Sequence, residues 1–189
     1  HVLLASRTGY SARDSPGLVA QLESASAAAC DVGDAADALS LLIQASLTGV
    51  LHAAGVLDDK MLRFMSVSDL NAVFAPKARA ASHIDIANTR TPLEAMGLFS
   101  SVASTFGNVG QANYVAANAH LDALAHSRRM HGMLTSSLQI PAVSDAGMGA
   151  NTFHKEQLDA MGAVSLDEFA WCMALSLAPA RTAMERTQA

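Results

Sequence analysis

The sequence predicts an α/β fold, a doubly wound parallel sheet with helices on both faces, and three observations lead to it. The candidate strands are short and continuously apolar rather than alternating, the pattern of strands covered on two sides. They alternate with helix-period segments along the chain, the order expected when parallel strands are joined by crossover helices. Their carboxyl ends carry polar residues or glycine, at Ser6-Arg7, Asp31-Val32, Ala54-Gly55 and Ser100-Ser101. In open parallel sheets that rim is where ligands bind.

Val2 to Ser6 reads as a first buried strand, closed by the turn-rich run Arg7 to Ala12. From Pro16 to Ser24, Leu18, Val19 and Leu22 fall at helical spacing, with Ser15 placed to cap and Pro16 at the first helical position. Ala27 to Val32 reads as the second strand. Asp34 is positioned to cap a helix over Ala35 to Leu47, in which Leu39, Ile43 and Leu47 form an apolar stripe. Gly49 to His52 is the third strand and runs into Ala53-Ala54-Gly55. A long helical region follows, starting near Ser68-Asp69 and interrupted at Pro76, whose ring and missing N–H mark a kink or boundary. Next come a strand through Leu98-Phe99, a helix from Tyr114 to about His131, and a strand at Thr135 to Ile140. A glycine-rich loop through Gly149, a helix near Lys155 to Met161 and another over Leu166 to Leu177 complete the order. One domain over residues 1–179 is expected, followed by a polar tail, 180–189.

The 189 residues suffice for one domain with a substantial core. With 51% apolar residues but only 5% aromatics, that core is built from Ala, Leu, Val and Met. The formal charge of −5 and the scattering of the twelve Lys and Arg argue against a nucleic-acid or anionic-membrane partner. No apolar stretch reaches the roughly 18 residues of a membrane span. The abrupt apolar start, His1-Val-Leu-Leu-Ala, has no basic leader and reads as a larger protein cut before a strand. Two cysteines, Cys30 and Cys172, make no disulfide framework and favour a reducing, cytoplasmic setting. Seven histidines show no ligand spacing, so no metal is expected.

The most informative stretch is Phe99-Ser-Ser-Val-Ala-Ser104 followed by Gly107 to Asn118. A hydroxyl at a strand end facing a Tyr on the next helix can grip one carbonyl oxygen from two sides. Tyr114 and Asn118, four apart, project from one helix face. A phenol has a pKa near ~10. Donating its proton near neutrality calls for a neighbouring cation or a proton relay.

These residues resemble the ketoreductase domain of a polyketide or animal-type fatty acid synthase, a branch of the short-chain dehydrogenase/reductase superfamily. The resemblance runs from His1 to about Leu177. It is strongest in Gly49-Val-Leu-His-Ala-Ala-Gly-Val-Leu-Asp-Asp59, in Leu98 to Asn118, and in Pro76-Lys77 between them. It implies a Rossmann-like sheet lacking the first βα unit, and NADPH-dependent reduction of a β-ketoacyl thioester held on an acyl carrier protein. Other synthase domains are the implied partners. Tyr114 is the implied acid and Ser101, thirteen positions earlier, the implied holder of the substrate oxygen. Most short-chain reductases place Lys four residues after the Tyr, where this chain has Asn118; the synthase ketoreductases exchange the two positions, which implies Lys77 as the catalytic cation and Asn118 as a relay residue. For the cofactor the resemblance implies Ser6 and Arg7 at the 2′-phosphate, Asp31 and Val32 beside the adenine, and His52, Ala53, Ala54 and Gly55 along the adenosine side. Leu57-Asp58-Asp59, with Phe106 where the opposite class carries Trp, implies a B-type domain giving the D-configured alcohol.

The chain also departs from this pattern. No T-G-G-x-G-x-x-G turn precedes the first strand, so NADPH binding by this segment alone is expected to be poor and a central strand of the sheet to be missing. Gln139-Ile-Pro-Ala-Val143 stands where a W-G-x-W-like segment is usual, which bears on substrate preference. A non-catalytic scaffold domain therefore stays open beside the reductase. Each residue also has a plainer reading taken alone. Tyr114 packs, Lys77 is a surface lysine beside a proline, and Asn118 satisfies backbone or water. Asp31 and Asp58-Asp59 cap turns or helices, and His52 is a satisfied strand-end histidine. Ser100 bonds backbone or lines the site, Met148 and Phe153 belong to core or lid, and Phe169 and Trp171 pack. Their conjunction favours the site.

Overall fold

A computed structural model describes residues 1–9, 24–144, 154–160 and 162–177. The expected helix over Pro16 to Ser24, the loop through Gly149, Met148, Phe153 and the polar tail lie outside these residues, apart from Ser24 itself. Among the described residues there are five strands: β1 (Val2–Ser6), β2 (Ala25–Ala29), β3 (Gly49–His52), β4 (Ala95–Ser101) and β5 (Thr135–Ile140). The helices are α1 (Ala35–Ala45), α2 (Val67–Phe74), α3 (Ala80–Asn88), α4 (Ala103–Phe106), α5 (Ala112–Met130), α6 (Lys155–Ala160) and α7 (Leu166–Ser176).

All strand pairings are parallel, but the strands form two sheets, β1-β2 and β3-β4-β5, where one continuous sheet was the simplest expectation. Among the described residues no strand bridges β1 and β3, and this break is what a sheet short of one central strand looks like. Alternation along β4 shows that both faces of its sheet are covered. Met96 and Leu98, fully buried, pack with Leu42 of α1, Ile84 of α3 and Leu121 of α5. On the other face, Phe99 stacks edge-on against Phe169 of α7 with ring centroids 5.5 Å apart. Gly97 leaves room there for the side chain of Leu177, which would lie 3.3 Å from an added Cβ.

Local chemistry sets the element ends. The Asp34 carboxylate caps α1, accepting from the amides of Ala36 and Asp37. Strand β2 ends at Ala29 rather than at the expected Val32, because Asp31 folds the chain back: its carboxylate accepts from Gly33 N at 2.9 Å and its carbonyl from Asp34 N at 2.8 Å. Helix α2 starts ahead of the expected Ser68-Asp69, since Ser66 and Asp69 form a reciprocal capping box. The long helical region is in fact three segments. Between α2 and α3 the backbone widens into a π-turn, Ala75–Arg79, which takes up Pro76 without ending the helix. Asp58 and Asp59 cap no helix, for residues 53–61 are extended or irregular. Trp171 is 66% exposed, so it is not the packing residue its position suggested.

Candidate active site

The site forms where α5 passes the carboxyl end of β4 and faces the π-turn. Lys77 sits on that turn with 3% of its surface exposed, so the surface-lysine reading fails. Its Nζ donates to the carbonyl of Phe99 at 2.6 Å and lies 5.6 Å from the centroid of the Tyr114 ring. Burial pulls its ammonium down to about 8, against an opposing pull from the Asp122 carboxylate. Gly55 leaves the space beside it free: a Cβ there would come within 3.2 Å of Lys77 Cε. His52 Nε2 bonds the Lys77 carbonyl at 2.8 Å, and burial first, then the Lys77 charge, hold its imidazole below the ordinary range. His52 is thus a satisfied strand-end histidine that fixes the turn.

Tyr114 is buried and packs with Val73, Ala78, Ala103 and Ala117. One turn on, Asn118 is fully buried and donates through Nδ2 to the Tyr114 carbonyl at 2.8 Å. Its Oδ1 is the only buried side-chain polar atom without a partner among the described residues. A buried acceptor left open is costly unless a ligand or water takes it. Ser100 is buried, its hydroxyl directed at the Asn118 carbonyl (3.3 Å), as its plainer reading had it. Ser101, half-buried at the end of β4, accepts from Ala103 N at 3.2 Å, which leaves its own proton to donate.

Leu57 to Asp59 is fastened to the loop ahead of α5. The Asp58 carbonyl accepts from Asn113 Nδ2 at 2.9 Å, the Asp59 carboxylate from Gln111 Nε2 at 2.9 Å, and Lys60 N donates to the Gly110 carbonyl at 2.7 Å. Sequence reasoning missed Asn113, which has no exposed surface and also takes the Tyr114 amide on its Oδ1 at 2.8 Å. The signal for it was its place beside the Tyr in a helix's first turn, where short polar side chains bond backbone. Phe106 is 83% exposed and stands apart from these contacts.

The cofactor candidates are less gathered. Ser6 ends β1 and Arg7 follows it, exposed. Asp31 serves its turn, and the Val32 carbonyl faces His83 Nδ1 at 3.3 Å. Ala53 and Ala54 continue β3 toward Gly55. No cluster of metal-ligating residues occurs among the described residues, nor any helix long and apolar enough to cross a membrane. Cys30 and Cys172 are both free thiols.

The family model of the KR, or ketoreductase, domain matches residues 1–145. The chain belongs to the ketoreductase domain family. Among its relatives, polyketide synthase GfsA of Streptomyces halstedii is 45% identical over 156 residues, covering 78% of this chain and 2% of that synthase. GfsB of the same organism is 40% identical over 196 residues, covering 100% of this chain and 3% of the synthase. A solved structure described as A-type ketoreductases from a modular polyketide synthase is 36% identical with a TM-score of 0.76, over 86% of this chain and 37% of that one. The ketoreductase from the first module of phoslactomycin biosynthesis in Streptomyces sp. HK803 matches with a TM-score of 0.81 at 29% identity, over 90% of this chain and 42% of that one. The chain thus spans a small part of these synthases and under half of these solved ketoreductases.

Ketoreductase domains of modular polyketide synthases are oxidoreductases of the short-chain dehydrogenase/reductase superfamily and depend on a nicotinamide cofactor. The reacting half of such a cofactor fits this ketoreductase chain: Gly55 keeps the backbone side open next to Lys77, and Asn118 offers an unpartnered buried acceptor. The phosphate half is less well provided. The 189 residues contain no G-x-G-x-x-G run, and Arg7 is the cation offered at a strand end.

Proposed function

We propose that this domain reduces a β-ketoacyl thioester, presented by an acyl carrier protein within a polyketide synthase, to the β-hydroxyacyl thioester, using NADPH. The observation that carries the reading is the seat of Lys77, a buried ammonium beside the Tyr114 ring. When bound, the reduced nicotinamide supplies a hydride to the carbonyl carbon. Ser101 donates to the carbonyl oxygen and holds it, while Tyr114 protonates that oxygen as negative charge develops on it. The Lys77 charge favours the phenolate left behind, and Asn118 Oδ1 accepts from the water or hydroxyl that restores the proton. Ser6 and Arg7 would hold the 2′-phosphate, Asp31 and Val32 the adenine edge, and His52 to Gly55 the ribose side.

Because Lys77 titrates at about 8, the rate is expected to fall as pH rises through that value, when the ammonium and its pull on the phenol are lost. A pH profile of turnover, saturated in both substrates, checks this; a flat profile to pH 10 would remove Lys77 from the mechanism. Gly55→Ala should push the Lys77 side chain aside by a few tenths of an ångström and slow turnover about 10-fold, since small misplacements near the reacting atoms are costly.

The product is proposed to be the D-configured alcohol of a B-type domain, on the strength of Leu57-Asp58-Asp59 bound to the loop before Tyr114 and of Phe106 at the position of the opposing class's Trp. The relative described as A-type makes the opposite outcome the natural comparison. Chiral chromatography of the alcohol from a short β-ketoacyl thioester tests it, with predominantly L product sinking the assignment. A scaffold domain without turnover is the second reading, since Asp31 serves its own turn and the Val32 carbonyl faces His83. Micromolar NADPH binding by fluorescence, together with Tyr114-dependent turnover, decides against it.

A further inference from the structure

Residues 53–61 belong to no helix or strand, so no ladder or helical turn fixes where Leu57-Asp58-Asp59 lies beside Tyr114. Bonds from the start of α5 fix it instead, and Asn113, with no exposed surface, makes the driest of them. Its Nδ2 donates to two carbonyls from different segments, that of Asp58 at 2.9 Å and that of Asp69 in α2 at 3.3 Å. Its Oδ1 accepts from the Tyr114 amide at 2.8 Å. That amide is one of the first-turn donors a helix leaves open. The usual remedy is a side chain at the N-cap, but Gln111 holds that place and makes no capping bond. The Gln111 amide is turned elsewhere, with Oε1 accepting from Asn108 Nδ2 at 2.9 Å and Nε2 donating to the Asp59 carboxylate at 2.9 Å. Asn113 thus replaces the cap from inside the helix and ties the same turn to Asp58 and Asp69. Lys60 adds an outer tie, its Nζ pairing with the Asp69 carboxylate at 2.6 Å. The Lys60 side chain is 38% exposed and Asp59 is exposed, so water competes for their bonds, while Asn113 is closed to it.

We propose that Asn113 is a positioning residue that sets which face of the ketone is reduced, by holding Leu57-Asp58-Asp59 in fixed relation to the turn that carries Tyr114. Facial choice requires the ketone to lie one way round against the Tyr114 hydroxyl. The wall proposed to select that orientation is Leu57 to Asp59, and a wall displaced by an ångström selects poorly. Asn113 is enclosed, so it acts through the Asp58 carbonyl and the Tyr114 amide rather than on the substrate. This role in selectivity rests on the ketoreductase reading; the pin between the two segments does not.

Asn113→Asp is nearly the same shape. Its carboxylate still accepts from the Tyr114 amide but has no N–H for the carbonyls of Asp58 and Asp69. In the complete synthase module, deuterium exchange followed by mass spectrometry should quicken about tenfold in a peptide over residues 57–61, the factor that goes with one lost hydrogen bond. That peptide contains the Lys60 amide, which is bonded to the Gly110 carbonyl. Peptides from β4 and β5 should keep the parent rates. In Asn113→Ser, whose hydroxyl stops an atom short, the peptide over residues 112–118 should quicken as well, and this variant decides if the Asp variant does not fold. Unchanged exchange over residues 57–61 in a folded variant overturns the proposal. The second readout is chiral chromatography of the alcohol from a short β-ketoacyl thioester, in which the ratio of enantiomers should fall at least about tenfold from the parent's. Lost stability alone leaves this ratio unmoved, since only folded molecules turn over. Quickened exchange with an unaltered ratio also overturns the proposal. A parent module that reduces no ketone defeats the ketoreductase reading and the role in selectivity with it, and the exchange rates still decide the pin.

Discussion

Tyr114→Phe is expected to slow ketone reduction by about 10²–10⁴-fold, the range associated with losing a positioned proton donor. The change removes one oxygen from a ring that is 7% exposed and packed by Val73, Ala78, Ala103 and Ala117, so the fold should hold. Binding of NADPH should change little, because the hydroxyl serves the substrate oxygen. The measurement is NADPH consumption with a short β-ketoacyl thioester, alongside thermal melting of both proteins. A Phe variant within about tenfold of the parent rate would reassign the proton to another donor.

Lys77→Met is expected to separate stability from activity. Lys77 falls from 10.5 to about 8 on folding, which means that below pH 8 the folded chain keeps a charge where burial disfavours it. That drop corresponds to about 3 kcal/mol, and losing the bond to the Phe99 carbonyl offsets about half of it or more. Met is close in length and apolar, so the net expectation is a variant about 1 kcal/mol more stable at pH 7. The pH dependence has a definite sign. Between about 8 and 10.5 the unfolded parent holds a proton that the folded parent has released, so parental stability climbs through this window and the advantage of Met shrinks. Urea unfolding at pH 7 and at pH 9.5 reads both effects. Equal or lower stability of the variant at pH 7 would mean that Lys77 is held by compensations beyond the Phe99 carbonyl and Asp122, whereas turnover should be lost at either pH.

The legible parts of this chain were those governed by local pattern. The apolar runs at Gly49–His52 and Thr135–Ile140 gave strands with the expected bounds, and Asp34 capped its helix as its residue type predicts. Tyr114 and Asn118 fell on one helix face because spacing alone dictates it. What was not legible depends on chain segments meeting. Lys77 looks like a surface residue until the π-turn lays it over β4, and no pattern near Pro76 announces that widening. The turn at Asp31 competes with strand propensity and wins through two hydrogen bonds, shortening β2. The separation of β1 from β3 is a property of neighbours rather than of either strand. Asn113 and Asp122 could have been flagged by position, yet their partners come from residues as distant as Asp58 and Ser137.

The π-turn at Ala75–Arg79 acts as a phase slip between two consecutive helices, α2 and α3. Upstream of it, Val73 points into the small cluster around the Tyr114 ring; downstream, Ala81, Ile84 and Ala87 point into the larger cluster under β4. An unbroken α-helix advances about 100° per residue, so one residue more or fewer in the slip would rotate one of these faces out of its cluster. The two clusters are thus phased separately, with Lys77 standing at the join. A single-residue deletion inside the slip would therefore re-aim the ammonium together with one of the two faces.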